Sequence, residues 1–145
     1  MPPLSKIRVL IVDDSIFFRT TLERGLKADP RIEVVGTAAD ALEAMNKIQE
    51  LRPDVVTLDV EMPKLSGIDF LKKLMPVHPV PVIVVSAMPI RVLDALDAGA
   101  VDFARKPDIK SSQDFKSFLA ELTVKIKIAS VAREIKWKRL SAKKD

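Results

Sequence analysis

The chain has 145 residues, of which 48% are hydrophobic and 30% are charged, so it is long and apolar enough to fold around one hydrophobic core. It contains no cysteine and one histidine, His78, which excludes disulfides, thiolate zinc sites and most catalysis by cysteine or histidine. The net charge is +4, but residues 125–145 hold eight basic and two acidic residues, so the rest of the chain is mildly acidic.

Strands and helices are predicted to alternate along the chain. In chain order the predicted elements are strand 7–12, helix 16–28, strand 32–35, helix 39–51, strand 55–58, helix 68–75, strand 80–85, helix 90–98 and a weaker strand 101–104. The first and fourth strands are almost continuously apolar, which is typical of strands covered on both faces. This alternation predicts an α/β fold with a doubly wound, mostly parallel sheet and helices on both faces.

The second predicted helix illustrates the amphipathic spacing. Leu42, Met45, Ile48 and Leu51 recur every three residues. Charged residues occupy several of the positions between them. We therefore expect these four side chains to form the buried face of that helix.

Polar residues with metal or phosphate chemistry follow four of the predicted strands. Asp13 and Asp14 follow the first, Asp59 the third and Ser86 the fourth, and Lys106 comes soon after the fifth. Ligands of an open parallel sheet bind beyond the carboxyl ends of its strands. Each residue alone has an ordinary explanation, such as Asp14 as a helix cap. If the first and third strands are neighbours, however, three carboxylates share one pocket and need a cation to offset their repulsion.

The residue types in this pocket favour Mg²⁺ and phosphoryl chemistry. Carboxylates without histidine or cysteine are typical ligands of Mg²⁺, and an aspartate beside Mg²⁺ can form an acyl phosphate. Asp59 is the candidate nucleophile because it is the single acid on the central strand, whereas Asp13 and Asp14 form a pair suited to the metal. The Ser86 hydroxyl is placed to donate to a phosphoryl oxygen, and Lys106 supplies a second positive charge.

Four segments together resemble the receiver domains of two-component response regulators, over residues 6–122. They are VLIVDDS (9–15), TLDVEMPKLSGIDFL (57–71), VVSAM (84–88) and GAVDFARKP (99–107). The resemblance implies a five-stranded parallel sheet of flavodoxin-like order 2-1-3-4-5. Within the family, the sequence of these segments is most similar to the N-terminal receiver of the chemotaxis protein-glutamate methylesterases.

The resemblance also implies roles for the acids. Asp59 corresponds to the phosphoacceptor, and Asp13 and Asp14 correspond to the acids that bind Mg²⁺ together with Asp59. Glu61, two residues after the phosphoacceptor, would offer its backbone carbonyl to the same ion.

Three further positions correspond to parts of the switch. Ser86 matches the switch hydroxyl, Phe103 the switch aromatic residue, and Lys106 the lysine that pairs with the phosphoryl group. Phe103 has no hydroxyl where some members carry tyrosine, so no hydrogen bond from that position is expected. The peptide bond between Lys106 and Pro107 is expected to be cis, as is typical of the family.

These observations predict a Mg²⁺-dependent phospho-aspartate switch rather than an enzyme that acts on a separate substrate. The phosphoryl group would come from a histidine kinase in chemotaxis-type two-component signalling. The chain has no Gly-x-Ser-x-Gly elbow, so we expect a receiver that belongs to a longer regulator, with a C-terminal methylesterase or other output domain, or that stands alone. With no signal peptide and no run of about 20 apolar residues, it is predicted to be cytoplasmic and to have no membrane contact.

Two other functions compete with this interpretation. A Mg²⁺-dependent phosphohydrolase with an aspartate nucleophile would need a second aspartate where Glu61 stands. A nucleic-acid binder would use the basic tail around Trp137. We expect no sequence-specific binding, because about 20 residues cannot form a winged-helix domain.

The C-terminal helix is predicted to begin near Ser112, as its N-cap, and to reach at least Ile135. Residues 1–123 would then form the receiver domain, and residues 124–145 a helical extension with a basic tail. A first apolar face, made of Phe115, Phe118, Leu119, Leu122 and Ile126, would cover the sheet.

A second apolar face consists of Val124, Ile128, Val131 and Ile135, spaced four, three and four residues apart as in a heptad seam. Leu122 and Val124 lie about 200° apart around a helix, so the two faces point in nearly opposite directions. The second face would bind a second copy in a homodimer, or an output domain. Alternatively, the last turns fray and the pattern is chance.

Overall fold

The computed structural model describes residues 5–62, 65–87, 92–108 and 111–142, with side chains described as far as residue 133. In this part of the chain strand and helix alternate five times. The elements are β1 (Ile7–Val12), α1 (Ile16–Lys27), β2 (Ile32–Ala38), α2 (Ala41–Leu51), β3 (Val55–Asp59), α3 (Gly67–Leu74), β4 (Val82–Ser86), α4 (Val92–Asp97), β5 (Asp102–Arg105) and α5 (Ser112–Ala142). The α/β fold class is thereby confirmed.

The strands form a parallel sheet in the order β2-β1-β3-β4-β5, as predicted. The order reverses at β1, which has β2 on one side and β3 on the other. Val12 of β1 pairs with Leu58 of β3, so the residues that follow them, Asp13 and Asp59, come next to each other at the carboxyl end of the sheet. This switch point is the usual place for a ligand in a doubly wound fold.

Each face of the sheet has its own apolar layer. Val9 and Ile11 of β1 pack with α1 and α5, whereas Leu10 and Val12 pack with α2, α3 and α4. Because β1 is buried on both faces, it needs an apolar side chain at nearly every position. The sequence of β1 is almost continuously apolar because helices cover both faces of the strand.

Four strands end later than the sequence pattern predicts. β2 continues to Ala38, β3 includes Asp59, β4 includes Ser86 and β5 includes Arg105. The predicted strands stop at the last apolar residue, but the pairing continues, since Asp59 lies opposite Val85 and Ser86 lies opposite Arg105. The acid and the hydroxyl are therefore fixed by the sheet itself rather than by loops.

The predicted buried face of α2 is partly wrong. Leu42 is 74% exposed, and the buried positions are Ala44 and Ile48, with Met45 partly buried against them. A strict repeat of three residues rotates away from the core, because an α-helix has 3.6 residues per turn. The predicted start of the fourth helix, at Ile90, lies outside the described residues.

Helix α5 begins at Ser112, one residue after its cap. Ser111 is the N-cap, since its Oγ accepts a hydrogen bond from the Asp114 N–H at 3.2 Å and its carbonyl accepts one from Phe115. The prediction of Ser112 as the cap is therefore wrong by one position. The helix continues past residue 135 to Ala142, which confirms the predicted extension.

The two apolar faces of α5 differ as expected from their angular separation. Phe118, Leu122 and Ile126 are buried against the sheet, and Phe115 and Leu119 pack partly buried beside them. Of the second face, Val124, Ile128 and Val131 are 54–61% exposed, and the side chain of Ile135 lies outside the described part.

Helix α5 crosses residue 123 without interruption, and Ile126 and Ala129 beyond that point are still buried. The division of the chain at Thr123 stays a prediction. Among the described residues, no helix combines the length and apolar character that a membrane span requires.

Candidate functional site

Asp13, the first residue after β1, is buried, and both of its carboxylate oxygens and its backbone carbonyl contact neighbouring residues. Its Oδ1 accepts a hydrogen bond from the Ser15 N–H at 2.8 Å, and its Oδ2 lies 2.9 Å from Lys106 Nζ. Its backbone carbonyl accepts a hydrogen bond from Arg19 Nη1 at 2.7 Å. These contacts fix the carboxylate at the carboxyl end of the sheet.

Asp14, the next residue, is exposed and is not the cap of α1. The N-cap is Ser15, whose Oγ accepts a hydrogen bond from the Phe18 N–H at 3.2 Å. The ordinary explanation of Asp14 as a helix cap is therefore excluded. Its carboxylate remains available to a ligand.

Asp59 ends β3 and is only 3% exposed. Its Oδ1 accepts a hydrogen bond from the Glu61 N–H at 3.0 Å, and its Oδ2 lies 3.6 Å from Lys106 Nζ. Gly67, the first residue of α3, lies against this strand end, and its N–H donates to the Val60 carbonyl at 2.9 Å. A Cβ at position 67 would lie 2.7 Å from Val60 Cα, so only glycine permits this approach.

Oxygens of Asp13, Asp14 and Asp59 lie within 4.8 Å of one another, a cluster found within the described part of the chain. Burial raises the pKa of Asp59 to about 6, and repulsion from Asp13 and Asp14 adds to the shift, against the opposing effects of the Glu61 N–H and Lys106. Hard oxygen donors that repel one another are the donor set that suits Mg²⁺. The residues present therefore fit the predicted ion.

Lys106 supplies the positive charge next to two of these acids. Burial alone would lower its pKa, but the hydrogen bond to Asp13 and the attraction of Asp13 and Asp59 outweigh burial and raise it. The ammonium also lies 4.4 Å from the centre of the Phe18 ring. Lys106 is therefore charged at neutral pH and shields the acids on one side of the pocket.

The peptide bond between Lys106 and Pro107 is trans, as are the other described peptide bonds, so the expected cis bond is wrong. The trans form of an X-Pro bond is lower in free energy by about 0.5–1 kcal/mol. In this form the Lys106 N–H still donates to the Ser86 carbonyl at 2.9 Å, and its ammonium still reaches Asp13.

Ser86, at the end of β4, is 4% exposed. It is linked to Asp59 through Glu61. Its Oγ donates a hydrogen bond to Oε1 of Glu61 at 3.1 Å. Glu61 therefore uses its backbone N–H for Asp59 and its side chain for Ser86. The sequence interpretation gave Glu61 a backbone role alone, since a contact across 25 residues leaves no local pattern.

Phe103 lies apart from the acid cluster. It is 37% exposed on β5, its ring centre is 5.0 Å from Lys125 Nζ, and its carbonyl accepts a hydrogen bond from that ammonium. The structure thus brings Asp13, Asp14, Asp59 and Lys106 together, and it places Phe103 against α5.

Three residues near the site were not anticipated. Arg19 of α1 contacts the Asp13 carbonyl, and Phe18 of α1 contacts the Lys106 ammonium. Both contacts depend on how α1 packs against the end of β1. Thr57, two residues before Asp59 on the same strand, is 1% exposed, and its hydroxyl has no hydrogen-bond partner in the described part of the chain. A polar residue inside an otherwise apolar strand was the available signal for Thr57.

The fold and the acid cluster agree with the family that the sequence motifs resemble. Residues 9–113 match the response regulator receiver domain, which is more than half of the chain. The chain therefore belongs to the response regulator receiver family.

Its relatives include proteins named as protein-glutamate methylesterases/protein-glutamine glutaminases. Protein-glutamate methylesterase/protein-glutamine glutaminase 2 of Syntrophomonas wolfei is 58% identical over 130 residues, which are 90% of this chain and 38% of that protein. The protein-glutamate methylesterase/protein-glutamine glutaminase of Syntrophotalea carbinolica is 52% identical over 137 residues, which are 92% and 39%. The chain spans about two-fifths of the length of these curated relatives.

Solved structures agree with this similarity. The response regulator domain of Thermotoga maritima CheB is 45% identical, with a TM-score of 0.78 over 86% of this chain and 96% of that one. A chain of the CheX-CheY-BeF₃-Mg²⁺ complex from Borrelia burgdorferi is 36% identical, with a TM-score of 0.66 over 78% and 89%. The predicted similarity to the receiver of protein-glutamate methylesterases is confirmed.

Proposed function

We propose that the chain is a phospho-aspartate switch, in which Asp59 accepts a phosphoryl group from a histidine kinase. The observation that carries the proposal is the cluster of three carboxylates within 4.8 Å, with the Lys106 ammonium against two of them. Asp59 is the nucleophile because it is buried on the central strand and its Oδ2 faces Lys106. Phosphoryl transfer depends mainly on such positioning and on neutralisation of charge.

Mg²⁺ would be held by Asp13, Asp14 and Asp59, with the backbone carbonyl of Glu61 as a further ligand. The ion supplies positive charge that offsets the mutual repulsion of the carboxylates and the charge of the phosphoryl oxygens. The chain itself orients the nucleophile through the Glu61 N–H, which fixes Asp59 Oδ1.

In the transfer step, an Asp59 oxygen forms a bond to phosphorus, and the bond from phosphorus to the histidine nitrogen of the kinase breaks. The nitrogen keeps the electron pair, and the imidazole leaves as the neutral ring because its other nitrogen carries a proton. Lys106 is placed to pair with the new phosphoryl group, and Ser86 to donate a hydrogen bond to it. No second substrate is required, so the proposed role is that of a phosphoacceptor module and not of a phosphohydrolase.

The surface beside the acids suits a protein donor. Ile16 and Phe17, the first residues of α1, are 72% and 63% exposed, next to exposed Asp14. Adjacent large apolar side chains at the rim of a charged pocket are typical of a protein-binding surface. We infer that the kinase domain carrying the phosphohistidine packs on them.

The test of phosphorylation uses phosphoramidate, which has the same P–N bond as phosphohistidine, with Mg²⁺ and intact-mass measurement. Wild type and Asp97→Asn, a control on the exposed end of α4, should each gain one phosphoryl group, and Asp59→Asn should gain none. Removal of Mg²⁺ by a chelator should abolish the adduct in wild type. An undiminished adduct in Asp59→Asn would overturn the assignment of the nucleophile.

The test of the docking surface compares two donors. Replacing Phe17 with serine should reduce transfer from a phosphorylated histidine kinase about tenfold, since buried aromatic residues carry much of the binding free energy at interfaces. The same variant should react normally with phosphoramidate. Equal transfer from the kinase to wild type and variant would exclude this surface.

We also propose that the chain acts in chemotaxis-type signalling, as the receiver of a protein-glutamate methylesterase. The support is the similarity to two relatives of that name, each of which is longer than this chain. Reading the coding sequence beyond Asp145 tests this proposal, and an output domain of another class there would contradict it.

A further inference from the structure

We propose that the Glu61 side chain is a positioning residue that holds the Ser86 hydroxyl in the unphosphorylated chain and competes with the phosphoryl group for it. The inference rests on the proposed function, because it concerns the response of Ser86 to phosphorylation of Asp59. It assigns to the carboxylate of Glu61 a role separate from that of its backbone carbonyl.

The geometry places Glu61 between the two groups that must change partners. Its N–H donates to Asp59 Oδ1 at 3.0 Å, and its Oε1 accepts from Ser86 Oγ at 3.1 Å. Asp59 and Ser86 are 3% and 4% exposed, whereas Glu61 is exposed at the surface. The carboxylate therefore reaches back from solvent to a hydroxyl that the sheet holds in place.

A hydroxyl group carries one proton, so Ser86 donates one hydrogen bond at a time. The bond to a carboxylate is charge-assisted and is about twice as strong as a bond between neutral groups. Ser86 must break this bond before it donates to a phosphoryl oxygen on Asp59. The contact with Glu61 therefore lowers the free-energy gain when the serine binds the phosphoryl group.

Charge acts in the same direction as this competition. A phosphoryl group brings about two negative charges, and the negative charge of the Glu61 carboxylate repels them. Because Glu61 is exposed, its side chain can rotate into solvent after phosphorylation, and the repulsion then falls. Glu61 thus favours the unphosphorylated state twice, once by retaining Ser86 and once by repulsion.

Three variants separate these two effects. Glu61→Ala removes both the acceptor and the charge, and Glu61→Gln removes the charge but keeps an acceptor. Ser86→Ala removes the donor, so that only the repulsion from Glu61 remains. Glu50→Ala is the matched control, since Glu50 is exposed near the C-terminal end of α2, at the opposite end of the sheet.

The experiment measures the initial rate of phosphorylation by acetyl phosphate with Mg²⁺, by intact mass, for the single variants and for Glu61→Ala/Ser86→Ala. We expect Glu61→Ala to raise the rate about fivefold, Glu61→Gln to raise it less and Glu50→Ala to leave it unchanged. In the Ser86→Ala background, the effect of Glu61→Ala should fall below about twofold, because the competition is gone.

The outcomes distinguish this inference from the proposed function. If wild type gains no phosphoryl group on Asp59, the proposed function fails. If wild type is phosphorylated but Glu61→Ala changes the rate by the same factor with and without Ser86, or not at all, the inference is overturned and the proposed function stands. Thermal unfolding of each variant shows whether it is folded, and the ratio of rates between backgrounds does not depend on a small loss of stability.

Discussion

Acidic and basic residues pair at both ends of the sheet, but the pair at the carboxyl end is more buried than the pair at the amino end. At the carboxyl end, Lys106 and Asp13 pair at 2.9 Å with side chains 19% and 2% exposed. At the amino end, Lys127 of α5 pairs with Asp29 at 2.8 Å, with side chains 42% and 19% exposed. The distances are alike, but the surroundings differ.

The pKa of an acid shifts in opposite directions at the two ends. At the amino end, the hydrogen bond from Lys127 lowers the pKa of Asp29, so the charged form is favoured. At the carboxyl end, burial and neighbouring carboxylates raise the pKa of Asp59 to about 6. At the amino end, Asp29 has its own cation in Lys127. The carboxyl end has more acids than bases, and the excess negative charge is what a cation would relieve.

The amino end also changes the interpretation of the basic tail. Lys125 lies 3.8 Å from Asp102, and Arg133 Nη1 lies 3.4 Å from Asp54 Oδ1 and close to the Pro53 carbonyl. Together with Lys127, these residues hold α5 to the acidic domain. Three of the eight basic residues in 125–145 are thus paired with acids of the domain, which weakens the case for a nucleic-acid binder.

The largest expected effect contrasts one lysine from each end. Replacing Lys106 with methionine leaves buried Asp13 and Asp59 without their cation, and should lower the free energy of unfolding by about 3 kcal/mol. Lys127→Met, at the exposed pair, should lower it by less than about 1 kcal/mol. Urea unfolding at pH 7.5 with a chelator measures both. Equal losses would show that burial does not distinguish the two ends.

The next effect has the opposite sign. Asp59→Asn removes a buried, repelled charge and should raise the free energy of unfolding by about 2 kcal/mol at pH 7.5 without Mg²⁺. Because the folded chain binds the Asp59 proton more tightly than the unfolded chain, with pKa about 6 against 3.8, the penalty is complete above about pH 6. It is lost as the pH falls toward 4.

Urea unfolding of wild type and Asp59→Asn from pH 7.5 to 4.5 checks this sign. The difference between the two proteins should shrink toward zero at the acidic end. A difference that grows as the pH falls would contradict the raised pKa.

A smaller gain is expected just below the site. Thr57→Val replaces an unpartnered buried hydroxyl with a methyl group of similar size and should raise the free energy of unfolding by about 1 kcal/mol. Thr20→Val is the control, since the Thr20 hydroxyl is exposed and donates to the Ile16 carbonyl at 2.8 Å. Thermal unfolding should show a gain for position 57 alone, and a loss there would contradict the absence of a partner for Thr57 among the described residues.

The smallest effect on stability concerns the second apolar face. Val124→Gln with Ile128→Gln should change the free energy of unfolding by less than about 0.5 kcal/mol, because both side chains are exposed. The predicted homodimer would instead appear in sedimentation equilibrium, as a mass above that of one chain for wild type and not for the variant. One monomer mass for both proteins would remove the homodimer.

How much of the molecule the sequence predicts depends on whether the pattern is local. The strands, the crossovers and the convergence of Asp13 with Asp59 follow from periodicity and from the rule that ligands bind at strand ends. The contact between Glu61 and Ser86 and the exposure of Leu42 depend on the path of loops and on the exact rotation of a helix. No spacing in the sequence encodes these features.

Helix α5 has a mechanical consequence as well. It is one unbroken rod from the loop after Lys106 to Ala142, and at 1.5 Å per residue its portion beyond Ile126 is about 24 Å long. A tilt of about 5° around Ile126 would therefore move Ala142 by about 2 Å, and would move the first turn, next to the site, in the opposite direction. A tilt about the packed middle of α5 would therefore couple its C-terminal end to its first turn, which lies near the charged pocket.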